Sequence, residues 1–304
     1  MMCKVKSFVI LGLIVLICGC NKTEWCLFEN HLTVYSDIGL EDWINNGSTG
    51  ASDLKYVQLE DKVTIIQADA FTNCNNLVAV DMGNGVEIIG AQAFCNCSNL
   101  TEVNWSSSLE EIGVSAFEST AIEVLDLPIG VTTVRAMAFA SCDKLKSAIL
   151  PDTIEVLEYN FAHCSNLETV ELPQTLTVLE EHMFSKCTSL EKITIPASVK
   201  VYGYDALCGS GIKELIIEGC LDEIVSFRTS QCPNLQRIIF LDKPPKKASG
   251  NGGLELGIVG GTNLPTIYYL KEHQEFWSPN GESEWNGISI VAIESLEELP
   301  PLDL

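Results

Sequence analysis

Thirteen cysteines and four histidines are the residues of this 304-residue chain most able to do chemistry. Thiolates with imidazoles bind zinc, thiols alone pair as disulfides, and a nucleophile beside an imidazole attacks acyl carbons. The spacings support none of these. Cys95-Asn96-Cys97 is too tight for a zinc site without a second pair nearby, and His31, His163, His182 and His273 are scattered. His163 and His182 follow the same aromatic column in adjacent units but read as turn or surface residues, and no Gly-x-Ser-x-Gly elbow surrounds a serine. The acid pairs Glu110-Glu111 and Glu180-Glu181 read as solvated charge on an open surface, where neither carboxyl would be raised for acid catalysis. The glycines within 249–261 lack the Gly-Lys-Ser/Thr of a phosphate loop. No catalytic, metal or cofactor site is therefore predicted.

Five cysteines obey a different rule. Cys74, Cys97, Cys142, Cys164 and Cys187 each lie three residues past a phenylalanine (Phe71, Phe94, Phe139, Phe161, Phe184), with Thr120 and Ser210 in the same position of two further units. Three residues on comes an aliphatic anchor, Leu77, Leu100, Ile122, Leu145, Leu167, Leu190, Ile212 and Leu235, at alternating intervals of 23 and 22. The alternation follows single-residue deletions before Phe161 and after Phe117. A period in this range is the mark of a leucine-rich solenoid, each unit burying its apolar face against its neighbours.

Seven clear units begin at Val63, Val86, Leu109, Val131, Ile154, Leu176 and Val199, and a degenerate eighth runs from Leu221. Each opens on a short apolar strand, passes through an Ala-Phe-x-x-Cys turn predicted to be one turn of helix, and closes on an alternating strand such as Val80-Asp81-Met82, often followed by proline. The predicted fold is an α/β leucine-rich repeat solenoid, with a parallel sheet on one side and short strands and helical turns on the other. Equivalent side chains of parallel strands point the same way, so the cysteine column should be a ladder of buried thiols. Any disulfide would involve Cys26, Cys95, Cys208 or Cys220, which lie off it.

The apolar-x-x-Ile, Ala-Phe-x-x-Cys-x-x-Leu, x-x-Ile-x-Ile-Pro consensus over residues 54 to 243 resembles the BspA-type leucine-rich repeats of bacterial surface proteins. The resemblance implies a right-handed superhelix and, for some members, adhesion to host or partner proteins; it implies no catalytic site. The N-terminus fits such an address. Lys4 and Lys6 precede an apolar run from Phe8 to Ile17, about half the roughly twenty residues that a membrane-crossing helix needs. Ile17-Cys18-Gly19-Cys20 resembles a bacterial lipobox, which implies lipidation of Cys20 and display on the outer membrane or cell surface through that anchor alone.

The predicted plan is a lipoprotein signal over 1–19, a tether over 20–26, an N-terminal cap over 27–62, repeats over 63–243, and a glycine-rich loop and C-terminal cap over 244–304. In that last segment Trp277 and Trp285 should lid the core, and the acidic tail from Glu294 should fray. Net charge is −23, two units more negative once Lys4 and Lys6 leave with the signal, which disfavours nucleic acid as a partner.

A solenoid binds through the surface its repeated strands build. One outward column reads Asp81, Asn104, Asp126, Ile149, Glu171, Thr194, Ile216, Ile239, and its neighbour gains Lys192 and Arg237 late in the chain. Asp81, Asn104, Asp126, Glu171, Lys192, Thr194, Ile216, Arg237 and Ile239 are the candidate contacts for a host or envelope protein or glycan. Two readings of Ile216 and Ile239 stand open: an exposed apolar patch edged by Lys192 and Arg237, or a surface buried by the loop of residues 246–261. The expected function is a monomeric, non-catalytic binding or adhesion lipoprotein needing no cofactor. A structural spacer without a ligand is the alternative, and an enzyme comes third.

Overall fold

A computed structural model describes residues 7–10, 13–16, 25–47, 52–224, 232–245, 247–248, 264–285 and 288–302. Ser7–Ile10 and Leu13–Leu16, within the apolar run, pair antiparallel, and no helix among the described residues is long and apolar enough to cross a membrane. Cys20 and the loop of residues 249–261 lie outside the described residues, as does the Leu221 unit from residue 225 to 231.

The chain coils as a solenoid with two columns of parallel strands. The main column runs through His31–Val34, Tyr56–Leu59, Ala79–Asp81 and Glu102–Asn104, then Val124–Asp126, Ser147–Ile149 and Thr169–Glu171, then Lys192–Ile195, Glu214–Ile217, Arg237–Phe240, Thr266–Leu270 and Ile288–Ile293. Hydrogen-bonded pairing breaks twice, after Asn104 and after Glu171. Trp105 accounts for the first break: where neighbouring units carry Met82 and Leu127, its larger ring packs forward 5.1 Å from Phe117 and 6.5 Å from Phe139. Two-residue strands from Ile65–Ile66 to Lys247–Ala248 form the second column.

Alternation buries one face of each main strand, so Val80, Leu125, Ala148, Ile193 and Leu215 point into one continuous core. The phenylalanines stack along it, at 5.2 Å for Phe71 and Phe94, 5.1 Å for Phe94 and Phe117, and 5.7 Å for Phe161 and Phe184. Beside them runs the thiol ladder. Cys97, Cys142, Cys164 and Cys187 each donate to the carbonyl of the phenylalanine one unit earlier, Phe71, Phe117, Phe139 and Phe161, at 3.1–3.2 Å. Cys232 repeats the contact on Leu207. Burial pushes Cys142 up to about 11 and Cys187 up to about 12, so both stay protonated.

The segment predicted as a turn of helix is built otherwise. Residues two before and two after the aromatic, including Asp69 and Asn73, Gln92 and Asn96, Ser115 and Ser119, are left-handed in every unit but that of Phe161, where only His163 is, and the chain passes through linked reverse turns. These turns bond to the next unit as strands do: Asp69, Phe71 and Asn73 donate to Ala91, Ala93 and Cys95, and the pattern recurs along the coil. Where the deletion removes a residue before Phe161, the buried Asn160 fills the gap. Its Oδ1 accepts from Ala138 N at 3.0 Å, and its Nδ2 donates to Glu158 O at 2.7 Å.

Both ends are capped. Trp25 and Cys26, read with the tether, belong to a strand Trp25–Phe28 antiparallel to His31–Val34. Helix Asp37–Asp42, which the sequence did not reveal, places Asp37 against the first short strand, where its carboxylate accepts from Thr64 N (2.7 Å), Thr64 Oγ1 (2.8 Å) and Ile65 N (3.1 Å). Trp43 closes the phenylalanine stack 5.1 Å from Phe71. At the other end Trp277 lies 4.8 Å from Phe240 and 5.1 Å from Trp285, the predicted lid.

Candidate binding face

The main strands present their outward side chains in rows set by register. One row holds Val124, Ser147 and Thr169; the next holds Asp126, Ile149 and Glu171. Before the first break, Asp81 pairs with Asn104, whose Nδ2 donates to Asp81 Oδ1 at 2.9 Å. Asn104, Asp126, Ile149 and Glu171 are exposed, with Asp81 half-buried beside them. No basic side chain among the described residues lies within ion-pair distance of Asp81, Glu102, Asp126 or Glu171. Each break opens a recess on this face. One of about 510 Å³ is bordered by Tyr56, Ala79, Asp81, Glu102, Asn104 and Val124, and one of about 590 Å³ by Asp152, Thr169, Glu171, Gln174, Lys192 and Thr194. Of the nine predicted contacts, Asp81, Asn104, Asp126, Glu171, Lys192 and Thr194 lie on this open stretch.

The last three behave differently, and of the two readings left open for Ile216 and Ile239 the exposed apolar patch is not found. Ile216 and Ile239 point outward but are only 6% and 0% exposed. Arg237, two residues before Ile239, donates through Nη1 to Pro300 O, so the C-terminal segment reaches back to this strand. That segment is ordered, contrary to expectation. Ser295 Oγ accepts from Glu297 N to cap a short turn over Leu296–Glu298, and Glu298 Oε2 accepts from Glu294 N at 2.8 Å. The alternative cover is not seen in the described part of the loop, since Lys247–Ala248 joins the short-strand column beside Glu223–Ile224.

Arg237 is no free cation either. Glu214, 3% exposed, is held between Lys192 Nζ at 2.7 Å and the Arg237 guanidinium. Burial opposes its ionisation, but hydrogen bonds and charge from Lys192 and Arg237 outweigh that and hold its carboxyl below the ordinary range. Sequence reasoning did not single out Glu214; its position between Lys192 and Arg237 on adjacent strands was the available signal.

Elsewhere the chemistry stays thin. Among the described residues no group of three His, Cys, Asp or Glu side chains could hold a metal ion. His182 meets the ring of Tyr204 at 5.8 Å. One expectation fails on the short-strand side, where burial, then Glu181 and Glu158, raise the Glu180 carboxyl.

The sequence profile of the BspA type leucine rich repeat region matches in six copies, over residues 44–165 and 155–246. No curated protein matches the chain. Among solved structures, a leucine-rich repeat protein from Bacteroides ovatus is similar at 20% identity and a TM-score of 0.64, covering 97% of this chain and 79% of its own. The T. pallidum leucine rich repeat protein reaches 20% identity and 0.42 over 64% and 82% of the two chains. A leucine rich cell surface protein of Faecalibacterium prausnitzii reaches 19% and 0.33 over 71% and 86%. At such identities the first likeness concerns the fold alone.

Proposed function

Because this chain belongs to the BspA type leucine-rich repeat family, we propose that it is a non-catalytic surface binding or adhesion protein that meets a protein or glycan partner with the open stretch of its main sheet. The observation carrying this reading is the set of carboxylates at Asp81, Asp126 and Glu171, the last two in one register row and Asp81 on the strands before the first break, left without cationic partners on a face indented at both sheet breaks. A protein that needed these groups only for solubility would have no reason to place them beside recesses. The lipobox-like Ile17-Cys18-Gly19-Cys20 supports display through a lipid on Cys20. The acidic balance argues against nucleic acid.

The test is capture by the immobilised full-length chain from host-matrix and envelope extracts, at low and high salt. Changing Asp81, Asp126 and Glu171 together to Ala should abolish a salt-sensitive capture. Capture that survives the triple change places the partner elsewhere, and no specific capture favours a spacer. For the anchor, Cys20→Ser should move the protein from the detergent phase to the aqueous phase in a phase-partition assay. Wild-type protein already in the aqueous phase would end the lipid reading.

A further inference from the structure

The recess at the first break has a construction the rest of the face lacks. Register sets His31, Tyr56, Ala79 and Glu102 side by side on four consecutive strands. The rings of His31 and Tyr56 stack at 4.3 Å and 14°, so one side of the tyrosine is backed by an aromatic and the other is turned towards Ala79. Ala79, the smallest side chain of the row, makes the floor. Tyr56 and Glu102 therefore stand as walls two strand spacings apart, about 9–10 Å. On the adjoining row Asp81 is fixed by Asn104 Nδ2 at 2.9 Å and Gly83 N at 3.1 Å, both on Oδ1, and Oδ2 accepts no bond from the described residues. The Glu102 carboxylate has no hydrogen-bonding or ionic partner among them. Burial keeps His31 below its ordinary value, so the ring behind Tyr56 is neutral near pH 7 and does not compete for the carboxylates.

An aromatic face beside two uncompensated carboxylates is complementary to a planar cation. A guanidinium stacks on a ring and bonds to carboxylates in its own plane, whereas an ammonium is a more strongly hydrated point charge. A neutral sugar could stack on Tyr56 but would leave both charges uncompensated. We infer that this recess receives an arginine side chain of a partner polypeptide lying on the sheet face, with Tyr56 against the guanidinium and Glu102 and Asp81 as its counter-ions. The inference rests on the reading of that face as the binding surface and names the chemistry it selects.

The probe is a fluorescent heptapeptide alternating arginine with glycine, with lysine and citrulline versions, titrated into the full-length chain by anisotropy at two salt concentrations. Arginine peptide should bind several-fold tighter than lysine peptide and the citrulline version not measurably, with affinity falling as salt rises. Tyr56→Ala should weaken arginine binding about 3- to 10-fold, and Tyr56→Phe should restore it. Glu102→Gln should weaken it to a similar degree, while Glu87→Gln, before the short strand Ile88–Ile89, should leave it unchanged. Circular dichroism checks that each variant is folded. Wild-type affinity in both Tyr56→Ala and Glu102→Gln would overturn the assignment, as would equal binding of the citrulline peptide. Salt-insensitive, Tyr56-dependent binding of a neutral oligosaccharide would overturn it in favour of a sugar subsite. Loss of extract capture in the Asp81, Asp126 and Glu171 triple variant, with Tyr56→Ala capturing normally, would sink this inference and leave the binding-face reading standing.

Discussion

Strands Tyr56–Leu59 through Lys192–Ile195 and strands Glu214–Ile217 through Ile288–Ile293 belong to one column and obey one alternation, yet their outward faces are opposites. On the first, carboxylates stand in solvent without counter-ions. On the second, the outward isoleucines are buried and the carboxylate, Glu214, is enclosed by Lys192 and Arg237. Alternation decides which way a side chain points. What lies above it is decided by chain distant in sequence, here the tail that reaches Arg237 from Pro300.

The contrast can be broken in graded steps. Glu214→Ala should cost most, about 3–5 kcal/mol, because it strands the mostly buried Arg237 without its counter-ion; chemical denaturation reads it directly. The contribution of Glu214 should be present above the carboxyl's unfolded value of about 4.3 and be lost as pH falls through the lower folded value. Wild-type stability should therefore drop across that acid window while Glu214→Ala shows a shallower fall. Removing residues 294–304, which frees Arg237 Nη1 from Pro300 O, should come next, at about 2–3 kcal/mol if it also uncovers Ile216 and Ile239. Increased binding of a hydrophobic dye should accompany that loss, and an unchanged melting temperature would mean the tail does not cover them. Smallest is a matched pair in one column. Ile239→Val should cost about 0.5–1.5 kcal/mol, and Ile149→Val, at a position 41% exposed, less than about 0.5 kcal/mol. Equal effects would erase the distinction between the two faces.

Local pattern carried the sequence reading a long way. The Phe and Cys columns, the strand positions and the tryptophan lid all depend on residues within one or two units, and each lies where the period put it. The turn geometry was present in the sequence but unread: Asp, Asn and Ser recur two residues either side of the aromatic, and those types tolerate left-handed backbone. The return of the tail could not be read, because the Arg237 to Pro300 contact spans 63 residues and leaves no mark on either segment's alternation. Nor does the 22/23 alternation locate the sheet breaks. One falls across an interval of 22, between Glu102 and Val124, and the other across 23, between Thr169 and Lys192. For the first the deciding feature is the bulk of Trp105.

In the reverse turns around the phenylalanines, alternate amides donate to the next unit's carbonyls while those between them donate within the turn. Under tension a coil of such layers comes apart from an end, where the outermost unit has one neighbour to hold it instead of two. A chain held near its N-terminus and pulled from its C-terminal end would shed units from that end, each event freeing an interface before the one beneath it is strained. Every released unit of 22 or 23 residues adds about 75–80 Å of contour, in place of the roughly 4.8 Å it occupied as a folded layer. A protein built this way yields to shear in steps, lengthening many-fold while the layers nearest the point of attachment keep their shape.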